Sequence, residues 1–487
     1  MIPLGTYLPD SPAYGQHSTV AQNCVAYRDY YGPFGSAVAY TSASTEAAKS
    51  AFAAKASDGQ PYNFIGGTSM LQLISAATWT DVSKALGYTT GSEDRWYWTT
   101  FGDIVIAANG NAVLQAYTMG TSTDFADLAA TAPVAKYVAT VRGFVFAGNI
   151  SGYPNRVQWS QLENPAGAWT ASVATQADLQ DLFGDTQVGQ VTQIVGGESA
   201  TVFCENGVFR FTYVGGDFIF TNDQIVRGNG TTAPGSVAAH GDKIFFLGSD
   251  GFYVLDGGGV PIPIGEGINR TFLDEVYEPE YWRISSAIDP RNSLYMVAYP
   301  TAGGTLDKVL VYNWQANKWS VVVPGNLESL FTFYSESYTL ETLDALIGNP
   351  DTGAYADVSV DSPLFQGGKP SLAAINADHK AVLFTGTALD ATTETGEAQL
   401  NPRRKSLVSK LVPMVEGVPD TGTVTAYVGG RNTVSESVTY SNPSTVNSEG
   451  EACLFNTARY QRAKLVISGG FTKAYGVDFE AVPAGKY

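Results

Sequence analysis

The chain has 487 residues, and 46 acidic against 28 basic side chains leave it at a formal charge of −18. Charged residues make up only 15%, aromatics 12%, and there are 52 glycines, a mix that suits strands and turns and argues against a disordered or coiled-coil chain. The acid surplus excludes the phosphate grip of a free duplex binder, and no apolar run approaches the length that spans a membrane as a helix.

In chain order, residues 1–45 read as an irregular, turn-rich arm, broken by Pro3, Pro9, Pro12 and Pro33. The opening MIPLGTYLPDSP has neither a basic n-region nor an apolar h-region, so no secretory leader is expected. TEAAKSAFAAKA at 45–56 fits either a short helix or a first strand pair. Between Asp58 and Gly353 one phrase recurs seven times: apolar strand, tight glycine-bearing turn, apolar strand. Its clearest copies are IVIAANGNAVLQAY, TVFCENGVFRFTYV and KIFFLGSDGFYVLDG, turning at Asn109-Gly110, Asn206-Gly207 and Asp250-Gly251. Weaker copies turn at Gly59, Gly152, Gly303-Gly304 and Gly353. Successive turn glycines lie 51, 42, 55, 44, 52 and 50 residues apart. Asn-Gly and Asp-Gly accept positive φ cheaply, as short hairpins require, and a hairpin recurring at this period is the mark of a β-propeller.

Within the repeats, 174–185 and 268–282 carry helical spacing and are expected as short helical excursions on one face of the ring. From about 361 the repeat gives way to a loop-rich stretch and the basic cluster Arg403, Arg404 and Lys405. Alternating segments at 423–430, 435–441 and 459–468 then predict antiparallel strands in a small sandwich, packed on or strand-exchanged with the N-terminal arm. The fold expected is therefore all-β: an irregular propeller of six or seven blades at 57–360, an arm at 1–56, and a β-rich platform at 361–487.

Signs of catalysis are sparse. His17, His240 and His379 are scattered, and GxSxG, HExxH, P-loop and CxxC motifs are absent. Cys24, Cys204 and Cys453 lack metal-like spacing, and Cys204 reads as a small buried hydrophobe. Asp250 and Asp256 lack the spacing of a calcium loop. Trp96, Trp98, Trp159, Trp169, Trp314 and Trp319 read as wedges between blades. No catalytic residue, cofactor or metal site is assigned. The alternative kept open is a propeller enzyme acting on bacterial surface polysaccharide, with a carboxylate pair drawn from residues such as Asp250, Asp256, Glu275, Glu280 and Asp289.

Several phrases carry a resemblance beyond the repeat. YLPDSPAYGQHSTVAQNCVAYRDYYGPF and EDRWYWTTFGDIVIAANG are similar to the opening of a family of virion structural proteins from short-tailed bacteriophages. VQWSQLENPAGAW, the long run from RGNGTTAPG to VLDG, PIGEGINRTFLDEV, AIDPRNSLYMVAYP and VLVYNWQANKWS continue the likeness. RYQRAKLVISGGFTKAYGVDFEAVPAGKY resembles the family's C-terminal sheet. The resemblance implies a tail nozzle or hub subunit in the virion, assembled in the host cytoplasm and not an enzyme. It implies a ring of probably six copies, contacts with portal and adaptor proteins above and with fibre, needle or plug proteins below, and packaged DNA passing through without sequence-specific binding. Arg403, Arg404 and Lys405 are the candidate inter-subunit or adaptor contact.

Overall fold

The computed structural model describes residues 2–75, 77–184, 187–257, 259–335 and 370–485. Among them stand seven four-stranded antiparallel blades. Their innermost strands are Ser50–Lys55, Tyr97–Phe101, Ala135–Val141, Val191–Val195, Ala238–His240, Ser285–Asp289 and Leu327–Tyr334. Neighbouring blades meet through these strands, and blade seven returns to blade one, so the ring closes. Blade seven takes its fourth strand from the N-terminal arm: Val38–Ala39 pairs with Ala381–Leu383. Strand pairing therefore carries the propeller past the expected span of 57–360, back to Ser50 and on to Leu383.

In blades two to six the recurrent turn joins the second strand to the third. Gly110 and Gly152 hold φ of 78° and 81° there, a conformation that costs other residues dearly. In blade four the two-residue turn is Glu205-Asn206, since Cys204 pairs with Gly207, which already lies in the strand. Gly59 instead joins the first and second strands of blade one, and Gly353 lies outside the described residues.

Apolar clusters fill the gaps between blades. Trp96 and Trp98 pack with Phe64 and Tyr117 between blades one and two. Trp159 sits with Phe146, Phe211 and Phe220 between three and four, and Trp169 between two and three. Each thus covers the face of its neighbour, which a four-stranded sheet cannot bury alone.

The platform is a sandwich of both chain ends. One sheet holds Ile2–Pro3, Cys24–Ala26, Tyr31–Pro33, Lys473–Pro483, Ser406–Glu416 and Ala452–Ala458. The other holds Ser18–Gln22, Ala391–Thr395, Tyr460–Ser468 and Thr423–Arg431, and it continues directly from blade six because Gln22 pairs in parallel with Val321. A large cluster of buried side chains joins the two sheets and reaches into blades five and six. On the second sheet a buried quartet links three strands: Arg431 to Glu397 at 2.6 Å, and Arg462 to Glu394 at 3.0 Å and to Glu397 at 2.9 Å.

The helical expectation at 174–185 fails. Asp178–Asp181 is the outermost strand of blade three, pairing with Tyr153–Trp159, and Arg156 clasps Asp181 across it with two bonds of 2.6 and 2.9 Å. A partner strand decides the conformation where the local helical pattern is weak. At 268–282 helix does form, as Asn269–Glu275 followed by a 3-10 turn at Glu278–Arg283. Asp10 of the arm accepts bonds from the Arg270 and Thr271 amides, each 2.8 Å, and so caps that helix from another part of the chain. TEAAKSAFAAKA resolves as the first strand of blade one.

Candidate functional site at the mouth of the propeller axis

All innermost strands start on one face, and the recurrent second-to-third turns reach the same face. A cavity of about 460 Å³ lies there. Blade two contributes Asp94, Arg95, Tyr97 and Asn109, and blade three Lys136 and Tyr137. Blade four contributes Gln190, Thr192 and Glu205, and Trp282 comes from the approach to blade six. Glu93 and Thr232 are exposed on the rim.

Arg95 closes the bottom. It is buried, 8% exposed, and its guanidinium donates to the carbonyls of Lys49 at 2.7 Å and Arg283 at 3.0 Å and also to that of Ile284. These groups open blades one and six, and Ser329 Oγ of blade seven lies 3.4 Å from the same guanidinium. One side chain of blade two thus reaches the starts of blades one and six and a strand of blade seven. Among the described residues no carboxylate pairs with it; carbonyl dipoles face the charge, and burial pushes the guanidinium below its usual value.

The other charges are tied down as well. Lys136 Nζ pairs with Asp94 at 2.8 Å. Lys49 donates to the carbonyls of Gly91, Ser92 and Asp94 and lies 5.4 Å from the Trp282 ring centroid. Glu205 accepts from the Gln190 side chain at 2.9 Å. The rings of Tyr97 and Tyr137 meet edge to face at 4.7 Å. Burial above all, then Tyr97, Asp94 and Glu205, holds the Tyr137 hydroxyl far above its ordinary value. Thr192 is 5% exposed, and among the described residues its buried Oγ1 has no hydrogen-bond partner. Beside the cavity, Glu328 takes the Ala48 amide at 2.7 Å and the His379 ring on its other oxygen. Burial pushes the Glu328 carboxyl up.

The residues singled out from the sequence lie elsewhere. Asp250 bonds Tyr253, Asp256 pairs with Lys243, Glu275 with Lys308, Glu280 with Arg283, and Asp289 bonds Asn292. None of the five lines the cavity. His17, His240 and His379 remain apart from it. Arg403 and Arg404 are exposed on the platform, where the Lys405 amide and carbonyl bond to Gly485 and Ala484. Among the described residues no group of three or more His, Cys, Asp or Glu could hold a metal ion, and no helix is long and apolar enough to cross a membrane. Cys24 and Cys204 are buried thiols, and Cys453 is exposed.

Sequence reasoning missed Glu93, Asp94, Lys136, Thr192 and Glu205. The only signal pointing to Glu205 was its place one residue before the Asn206-Gly207 turn.

No family model matches the chain, and no curated protein matches it. Among solved structures it is similar to the WD40 domain of Pan2 from Neurospora crassa, at 10% identity over 74% of this chain and 96% of that one, TM-score 0.37. It is also similar to a chain of the mitotic checkpoint complex, at 8% identity over 74% and 94%, TM-score 0.41. The computationally designed Ika8 protein aligns at 8% identity over 72% and 99%, TM-score 0.38.

Proposed function

We propose that the chain is a virion structural protein: one of six subunits in a ring that forms the nozzle or hub of a short phage tail. The ring encloses the exit channel for packaged DNA below the portal and adaptor, and carries fibre, needle or plug proteins. The reading rests on the sequence resemblance, and one structural observation supports it above others. Both chain ends are built into a platform fixed to one blade, which gives each subunit two rigidly joined bodies with different surfaces. The platform's residues 401–487 hold ten basic against seven acidic side chains, whereas 201–400 hold ten against twenty-four. The DNA path in this reading runs between subunits. A wall at −18 per copy repels phosphate only within about 8–10 Å at physiological salt, which favours passage over retention.

Native mass measurement and negative-stain imaging of the purified chain, alone and with an adaptor ring, test this. Sixfold rings with a channel wide enough for duplex DNA are expected. A strict monomer indifferent to the adaptor would overturn the reading.

The carbohydrate-active alternative has one observation in its favour, the gathering of Glu93, Asp94 and Glu205 beside Arg95 at the mouth. Against cleavage stands the pairing of Asp94 with Lys136, which occupies one of these three carboxylates.

A further inference from the structure

We infer that the cavity at the propeller mouth is a binding site for a neutral saccharide, held without being cleaved. The inference goes beyond the nozzle reading and does not rest on it.

Size admits it: about 460 Å³ falls within the range of about 300–1,000 Å³ typical of small-molecule sites. Chemistry narrows the class. Lys136 is neutralised by Asp94, and Lys49 and Arg95 are engaged by backbone carbonyls. An incoming anion would find no free cation, and would meet Glu93 and Glu205 at the rim. A neutral polyol meets no such penalty. Its hydroxyls donate to the carboxylates of Glu205 and Asp94 and accept from the remaining protons of the Lys136 ammonium, which are the charge-assisted bonds that hold sugars best. Tyr97, Tyr137 and Trp282 supply the apolar walls against which a ring's C–H faces rest.

The full chain should be titrated with glucose, galactose, N-acetylglucosamine and their disaccharides, with glucosamine and glucuronate as charged controls. Saturation-transfer NMR and tryptophan fluorescence supply the readouts. At least one neutral sugar should bind in the millimolar range, with no product released. Glu205→Gln should weaken it about three- to tenfold, the worth of one hydrogen bond, while the melting temperature holds. Absence of binding by every neutral sugar, preference for a charged control, or binding indifferent to the substitution would each overturn the inference.

Discussion

Arg95 shows how much one side chain can hold. Its five donors form a rigid fork, and they tie the start of blade two to carbonyls and a hydroxyl that open blades one, six and seven. Replacing it with methionine would keep the bulk and strand those carbonyls, each costing about 1–3 kcal/mol when buried unpaired. Arg95→Met should therefore lower stability by at least about 2 kcal/mol, read from denaturant midpoints at unchanged slope, and Arg95→Lys should rescue little. Asp181 gives a pH-dependent counterpart. The bonds from Arg156 hold its carboxyl below the usual range, so its stabilisation is complete above the ordinary aspartate value near 4 and is lost as pH falls through the lowered folded value. Asp181→Asn should cost up to about 1 kcal/mol at neutral pH and nothing at strongly acidic pH. A gap that stays constant with pH would refute that assignment. Arg95 stands inside EDRWYWTTFGDIVIAANG, one of the phrases that carry the resemblance, yet its role was not legible there, because its partners lie far away along the chain.

At the scale of elements, the hairpins were legible because a two-residue turn advertises itself locally through Asn, Asp and Gly. The outermost strand of blade three was not, since its identity comes from the partner strand at Tyr153–Trp159 rather than from its own pattern. The platform's alternation was readable, but its strand order was not: Ala391–Thr395 lies between an N-terminal strand and Tyr460–Ser468. That junction carries the buried quartet, in which Glu397 is 1% exposed in its side chain and faces both Arg431 and Arg462. Glu397→Gln leaves two buried cations to share Glu394 and should cost about 3–5 kcal/mol, as broken buried pairs do. Replacing all four charged residues with apolar side chains of matched size should cost far less, and thermal unfolding of both variants separates charge from packing.

For the whole molecule, periodicity announced a propeller with a platform, while the blade count needed the structure. Blade seven was hard to count because Leu327–Tyr334 pairs with the distant Pro370–Asn376 and the fourth strand comes from residues 38–39. That closure sets an order of events. Val38–Ala39 is made early and waits for Ala381–Leu383, and Ile2–Pro3 waits for Gly476 and Val477. A growing chain can stack blades one to six as they emerge, yet each N-terminal strand is separated from its partner by more than three hundred residues, so neither the ring nor the platform can shut before those are made. Such long-range closure is slow, and the open strand edges persist meanwhile. Synthesis therefore leaves a half-made molecule that is adhesive at both ends, and only its last-formed contacts turn it into one that meets other proteins solely through finished surfaces.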